Sequence, residues 1–382
     1  VNGEADGTVL DNTTEGLAHT ALNGIAPYFT MFPLSFPYAI LKERAREGEW
    51  VLDPFCGRGT TNYAARLLGL PSVGIDSSPV AVALSEAKLV NTTPERVIRA
   101  AEEILEEVPV PAEVPEGEFW EWAFDTEVLA VVCRLREGLL ANCRSHARKA
   151  LRALLLGALH GPRGKTKRTY FSNQCQRTYA PKPNYAVTFW KRRDLRPEPV
   201  DVLGIIRERA DRYFGGERTR GRGKILRGDS REEAVYRRFP AGASGAIRWV
   251  VTSPPYYGMN TYLPDQWLRL WFLGGAPEVA YGAEGQIRHS SPGEFAAQIR
   301  RVWMRVGQVC APGAQLVFRF GGIRSRKADP LEIVRLSLEG TGWRLTELRP
   351  AGTADAGRRQ ALHIARTDRA KEETDVFARW EG

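Results

Sequence analysis

Short apolar runs ending in turn residues alternate with helical periodicity toward both ends of this chain. Trp50-Val51-Leu52 reads as a buried strand, and Thr60 to Leu68 as a helix stopped by Gly69. Ser72 to Asp76 reads as a second short strand. Ser78 to Val90 follows as a second helix, with small and apolar residues at helical spacing. The pattern returns at Lys224 to Ser230 and at the strand Ile247 to Thr252. Pro292 to Val309 reads as a helix whose start is well marked. Ser291 is the N-cap, Pro292 takes the first position, and Glu294 completes a capping box. Gln315 to Phe320 predicts a strand and Pro330 to Leu338 a helix. Trp343 to Leu348, Ala361 to Arg366 and Asp375 to Trp380 predict late strands.

A strand, a Gly-rich turn, a helix and a strand ending in an acid open a doubly wound nucleotide-binding sheet. Between residue 91 and about residue 220 that pattern breaks. An acidic, Pro-rich stretch, Glu102 to Glu118, is followed by apolar helices at Val128 to Leu140 and Ala147 to Leu159. A basic loop is predicted from Gly161 to Pro199. The expected fold is therefore α/β, in three stretches: residues 1–90 as an N-terminal segment with the ligand-binding half, 91–223 as a mostly helical, basic insertion, and 224–382 as the second half.

The loops after two strands carry the candidate chemistry. The first is Asp53-Pro54-Phe55-Cys56-Gly57-Arg58-Gly59-Thr60-Thr61. Glycines without Cβ let backbone N–H groups approach a ligand. Thr60 and Thr61 open a helix whose N-terminus suits a carboxylate. Asp53 is placed to accept from an ammonium, and Asp76, at the next strand end, to grip ribose hydroxyls. The second loop is Ser253-Pro254-Pro255-Tyr256. Proline fixes φ and lacks N–H, leaving a rigid loop that bears carbonyls.

Together these segments resemble the S-adenosylmethionine-dependent amino-methyltransferases of DNA, and the Ser-Pro-Pro-Tyr form resembles their N4-cytosine branch. The resemblance implies a Rossmann-like methyltransferase sheet with Gly57 and Gly59 beside the methionine part of S-adenosylmethionine, and no metal. It also implies a pocket wall at Phe32 and Pro33, where plain core packing is the alternative. Asp229, in a Gly-Asp pair, would stand near the adenine amino group, or else be a turn or cap residue. Ser253 Oγ and the Pro254 carbonyl would accept from the amino hydrogens of a flipped base, turning its lone pair toward the methyl group. Tyr256 would stack on that base.

Composition narrows the partners. The chain has a formal charge of +9, which suits a polyanion. Its distribution is more telling than its size. Gly161–Arg196 holds ten Lys/Arg and one acid, Asp194, interleaved with aromatic and amide residues. Lys165, Lys167, Arg168, Gln174, Arg177, Lys182, Lys191 and Arg192 are the candidate double-stranded DNA contacts, the alternative being a solvated cover loop. The five cysteines show no metal spacing, and none follows a proline, as the nucleophile of C5-cytosine methyltransferases does. A cytoplasmic, nucleoid-associated enzyme is expected, with a cognate restriction endonuclease as a candidate partner. N6-adenine and RNA guanine-N2 methylation are the rival chemistries, and a non-catalytic DNA-binding module the rival of another class.

Overall fold

The computed structural model describes residues 20–28, 32–164, 167–176, 179–216, 219–258, 263–280, 287, 289–323, 328–353 and 370–382. In chain order the elements begin with α1 (Ser35–Arg44), β1 (Trp50–Asp53), α2 (Thr60–Leu67), β2 (Ser72–Asp76) and α3 (Pro79–Glu86). Six helices follow: α4 (Pro94–Glu107), α5 (Glu118–Ala123), α6 (Thr126–Ala141), α7 (His146–Ala158), α8 (Pro183–Arg192) and α9 (Val202–Phe214). The α/β alternation then resumes with β3 (Gly223–Arg227), α10 (Glu233–Tyr236), β4 (Ile247–Thr252), α11 (Trp267–Phe272) and α12 (Pro292–Gly307). It closes with β5 (Cys310–Ile323), α13 (Pro330–Leu338), β6 (Trp343–Thr353) and β7 (Ala370–Trp380).

The seven strands form one sheet in the order β3-β2-β1-β4-β5-β7-β6. The first five are parallel to their neighbours. β7 runs antiparallel to both β5 and β6. The order reverses between β1 and β4, and ligands of open α/β sheets bind at such a switch point, outside the carboxyl ends of the strands. The expected doubly wound, Rossmann-like sheet is what the chain forms.

Alternation along the strands divides the apolar side chains between two cores. Val51, Trp249, Val251, Val317 and Phe377 join one of them with Tyr63, Leu84 and residues of α4 to α9 and α11. Leu52, Val73, Val250, Leu316 and Val376 join the other with residues of α12 and α13. The helices of the insertion thus enter in the crossover from β2 to β3 and share a core with the sheet.

Several sequence expectations change. The stretch described by its acids and prolines, Glu102 to Glu118, is helical up to Glu107. Val97, Ala100, Ala101 and Ile104 are buried in α4, while Glu102, Glu103 and Glu106 face solvent. The basic loop contains α8, started by Pro183 at its first turn. β5 is longer than predicted, beginning at Cys310 rather than Gln315. Ser291 caps α12 by accepting from the Glu294 N–H at 3.1 Å, but the Glu294 carboxylate takes the Ser290 hydroxyl instead of closing a capping box. The strand predicted at 361–366 lies outside the described residues.

Candidate active site

The carboxyl ends of β1, β2 and β4 bring Asp53, Asp76 and the Ser253–Tyr256 loop to the switch point, with Asp229 just beyond β3. The loop after β1 is a tight backbone cradle. Gly57 and Gly59 adopt φ of 50° and 79°, the left-handed region that favours glycine. The Cys56 N–H donates to Ile75 O at 3.0 Å. The Gly57 N–H donates to Asp76 Oδ2 at 2.9 Å, and Ser78 N–H to Asp76 Oδ1 at 2.9 Å. Ser85, on α3, donates its hydroxyl to Gly57 O at 2.8 Å. Both Asp76 oxygens therefore hold the cradle, with the Ser77 backbone donating to the carboxylate as well. Burial raises its carboxyl above the usual range, against those backbone hydrogen bonds.

Asp53 joins the two motifs. It is fully buried. Its Oδ1 accepts from the Thr252 hydroxyl at 2.6 Å, one residue before Ser253, and from the Phe55 N–H at 3.1 Å. Its Oδ2 is buried with no hydrogen-bond partner. Burial lifts the Asp53 carboxyl to about 7, against the hydrogen bond from Thr252. A buried acceptor with an open oxygen fits an ammonium group, and the cradle beside it fits the rest of an amino-acid moiety. Among the described residues no three His, Cys, Asp or Glu side chains gather as a metal site.

Other predicted residues serve the frame. Thr61 is fully buried and donates its hydroxyl to Val251 O at 3.0 Å, bolting α2 to β4, and Thr60 is buried as well. The Thr61 hydroxyl is thus committed within the fold, and the backbone N–H groups at the start of α2 are the donors left for a carboxylate. Phe55 meets Trp303 edge-on at 6.2 Å. Phe32 meets Phe36 edge-on at 5.4 Å, and Arg319 lies 4.3 Å over the Phe36 ring. Phe32 and Pro33 are half-buried at the start of α1. Asp229 is held by its neighbour: Arg231 donates from Nη2 at 2.5 Å and from Nε at 2.9 and 3.0 Å. Burial would raise this carboxyl, but the Arg231 hydrogen bonds outweigh it and hold it below its ordinary value.

Tyr28 was missed as a site residue. It opens the aromatic, Pro-rich segment before β1, and a Cβ on Gly57 would stand 3.7 Å from its Cε1. Its hydroxyl bonds Ser78, and burial beside Asp76 raises its pKa. Lys88 anchors the segment before it, with its ammonium donating to Leu22 O, Asn23 O and Asn23 Oδ1 at 3.0–3.2 Å. Arg58 is half-buried in the cradle with its Nε unpartnered.

In the catalytic-type loop, Ser253 and Pro255 are half-exposed and Pro254 is buried. Tyr256 is turned inward. Its hydroxyl donates to Glu373 Oε1 at 2.8 Å, its ring meets Phe320 edge-on at 5.3 Å, and it is 7% exposed. The open stacking platform expected of Tyr256 is thus a ring set into the second core, where aromatic packing and a partner for its hydroxyl hold it. Tyr256→Phe is expected to cost about 1–3 kcal/mol, because it leaves the buried Glu373 oxygen without its donor. Thermal denaturation of Tyr256→Phe, Glu373→Ala and the double variant checks this; additive losses would show the pair is not coupled.

The basic segment is less available than its charge suggests. Arg168 grips Glu198 through two nitrogens at 2.6 and 2.8 Å, and Lys167 pairs with Glu208 at 2.6 Å. Lys191 pairs with Glu118. Gln174 does not point to solvent: its amide donates to Trp122 O at 2.9 Å and to Leu195 O at 2.5 Å. Lys182 and Arg192 are exposed. Lys165 and Arg177 lie outside the described residues.

Residues 6–87 match the model of a DNA methylase family of N6/N4 type. The type II methyltransferase M.MjaII of Methanocaldococcus jannaschii is 37% identical over 68 residues, 18% of this chain and 13% of its own length. M.BsoBI of Geobacillus stearothermophilus is 39% identical over 69 residues, 18% of this chain and 14% of its own length. The chain thus spans about an eighth of the length of the curated relatives it matches. Among solved structures, the rRNA methyltransferase AviRa of Streptomyces viridochromogenes aligns over 97% of this chain and 94% of its own, at 14% identity and a TM-score of 0.37.

Proposed function

We infer, from a match of residues 6–87 to the model of a DNA methylase family, that the chain transfers a methyl group from S-adenosylmethionine to an exocyclic amine of a DNA base. The observation that carries this is the Asp53 carboxylate. One of its oxygens holds Thr252, next to the Ser-Pro-Pro-Tyr loop, and the other is buried and unpartnered beside the glycine cradle. Donor and acceptor sites of a transfer reaction therefore share one anchor.

S-adenosylmethionine, when bound, supplies a sulfonium-linked methyl group. The chain's residues do the rest. Asp53 Oδ2 accepts from the ammonium, and the N–H groups at the start of α2 face the carboxylate. Asp76, at the end of β2, accepts from ribose hydroxyls. An amine conjugated to a base ring is a weak nucleophile. Ser253 Oγ and the Pro254 carbonyl accept its hydrogens and turn its lone pair toward the methyl carbon. Transfer in this arrangement would leave the C–S electron pair on sulfur, as S-adenosylhomocysteine, and the amine would lose one proton to water. Orientation and proximity supply most of the rate.

The target base is cytosine, at N4, in this reading. Ser at position 253 supports that branch over N6-adenine. The substrate is duplex DNA from which the base is flipped, and a restriction endonuclease is the proposed partner. Among the described residues no helix is long and apolar enough to cross a membrane, and a cytoplasmic place beside the nucleoid suits the substrate. Mass spectrometry of nucleosides from DNA methylated by the protein tests the assignment, with N4-methylcytosine expected. N6-methyladenine would overturn the base and keep the chemistry. Methylated guanine in RNA, with none in DNA, would overturn the substrate.

A further inference from the structure

The inference concerns α8, and it rests on the DNA reading above. This helix buries Ala186, Val187 and Trp190. Its two remaining flanks differ. On one, Asn184, Thr188 and Lys191 line a groove of about 450 Å³ whose other walls include Glu116, Glu118 and Glu278. That side is acidic and repels a polyanion. On the other flank stand Tyr185, Phe189 and Arg192, at helical spacing of four and then three residues. Tyr185 is 74% exposed and Phe189 37% exposed. Arg193 lies 4.0 Å over the Phe189 ring. Arg192 is exposed, and no acid pairs with it among the described residues.

Two exposed aromatic rings on one flank are costly to leave in water, and their neighbours here are cations. The position of the helix gives them a partner. Just before α8, the Ala180 N–H donates to Asp265 O at 2.7 Å, and the Trp267 indole donates to Pro181 O at 3.0 Å. Asp265 and Trp267 follow the Ser253–Tyr256 loop closely in the chain. The start of α8 is therefore pinned to Asp265 and Trp267, nine and eleven positions after Tyr256.

We propose that the Tyr185–Phe189–Arg192–Arg193 flank of α8 is the surface that grips duplex DNA beside the flipped nucleotide. The rings pack on exposed base faces and sugars next to the opened pair, and the two arginines hold phosphates. This moves the reading surface away from Arg168, Lys167 and Gln174, which are engaged within the protein.

The test separates the two kinds of contact. Binding of the wild-type protein to a fluorescein-labelled duplex with a central mismatched cytosine, whose pair opens at little cost, is measured by anisotropy over a range of salt. Tyr185→Ala/Phe189→Ala is expected to weaken binding about tenfold with the salt slope unchanged, because stacking carries no counterion release. Arg192→Ala/Arg193→Ala is expected to flatten the slope by about one unit per lost phosphate contact. Both variants should keep the wild-type melting temperature and cofactor affinity, since these side chains lie outside the core. Unchanged duplex affinity and slope in both variants, while the wild type methylates sheared genomic DNA, overturn the assignment of this flank alone. Loss of affinity for a structured RNA with duplex binding intact overturns it in favour of RNA. A wild-type protein that transfers no tritiated methyl groups to genomic DNA overturns the substrate reading, and this assignment with it.

Discussion

Valine at position 57 is expected to abolish cofactor binding in a protein that still folds, whereas valine at position 59 is expected to damage both. The two glycines look alike in sequence but face different neighbours. A Cβ on Gly57 would meet only Tyr28, at 3.7 Å, and Phe55 O, at 3.9 Å. It would stand between the cradle and Tyr28, where the proposed function puts the amino-acid end of the cofactor. The cost to the fold is that of the left-handed backbone alone, about 1–2 kcal/mol. A Cβ on Gly59 would lie 2.8 Å from both Cα and Oγ of Ser85, on α3. Strain and overpacking then add to roughly 2–5 kcal/mol. Calorimetric titration with S-adenosylmethionine and thermal melting of both variants check the contrast. Wild-type affinity in Gly57→Val would move the cofactor site elsewhere.

Asp53→Ala is the second large effect, and its pH dependence is distinctive. Losing a charge-assisted partner for the ammonium should cost about 1.5–3 kcal/mol, roughly 10- to 150-fold in affinity. The carboxyl is raised from 3.8 to about 7 in the folded protein. The folded state therefore binds this proton more tightly than the unfolded chain does. Its contribution to stability is complete below the unfolded value and is lost as pH rises through about 7. Without cofactor, the wild type should lose melting temperature relative to Asp53→Asn between pH 5 and pH 8. An ammonium beside Asp53 reverses the preference, so cofactor affinity should rise with pH through 7 and binding should release a proton. Titration calorimetry in buffers of different ionisation enthalpy measures that release. No proton release near neutral pH would mean that the ammonium does not reach Asp53.

Much of the framework was legible because buried parallel strands are short, apolar and bounded by turn residues. Val51-Leu52, Val73 to Ile75 and Val250-Val251 read as strands, and Asp53, Asp76 and Ser253 fell at their carboxyl ends. Helix α4 was hidden because its acids were read as a composition rather than as the solvent face of a 3.6-residue period. The basic segment misled for a related reason. Its charges were counted between 161 and 196, while the acids that bind Arg168 and Lys167 are Glu198 and Glu208, just beyond. Residue type says nothing about direction, so Gln174 read as a base contact although its amide faces two carbonyls. The Tyr256–Glu373 bond spans 117 positions, and no local pattern announces a partner at that distance.

That bond ties the site to the order in which the chain is made. Glu373 lies on β7, which is translated after both β5 and β6, yet β7 sits between them in the sheet. While β7 is still being synthesised, β5 and β6 lack their shared neighbour and Tyr256 lacks its acceptor. Cofactor half, insertion and Ser-Pro-Pro-Tyr loop are all translated before then. The Ser-Pro-Pro-Tyr loop gains this contact only when β7 is threaded between β5 and β6, so a nascent chain that still lacks β7 holds Tyr256 without it.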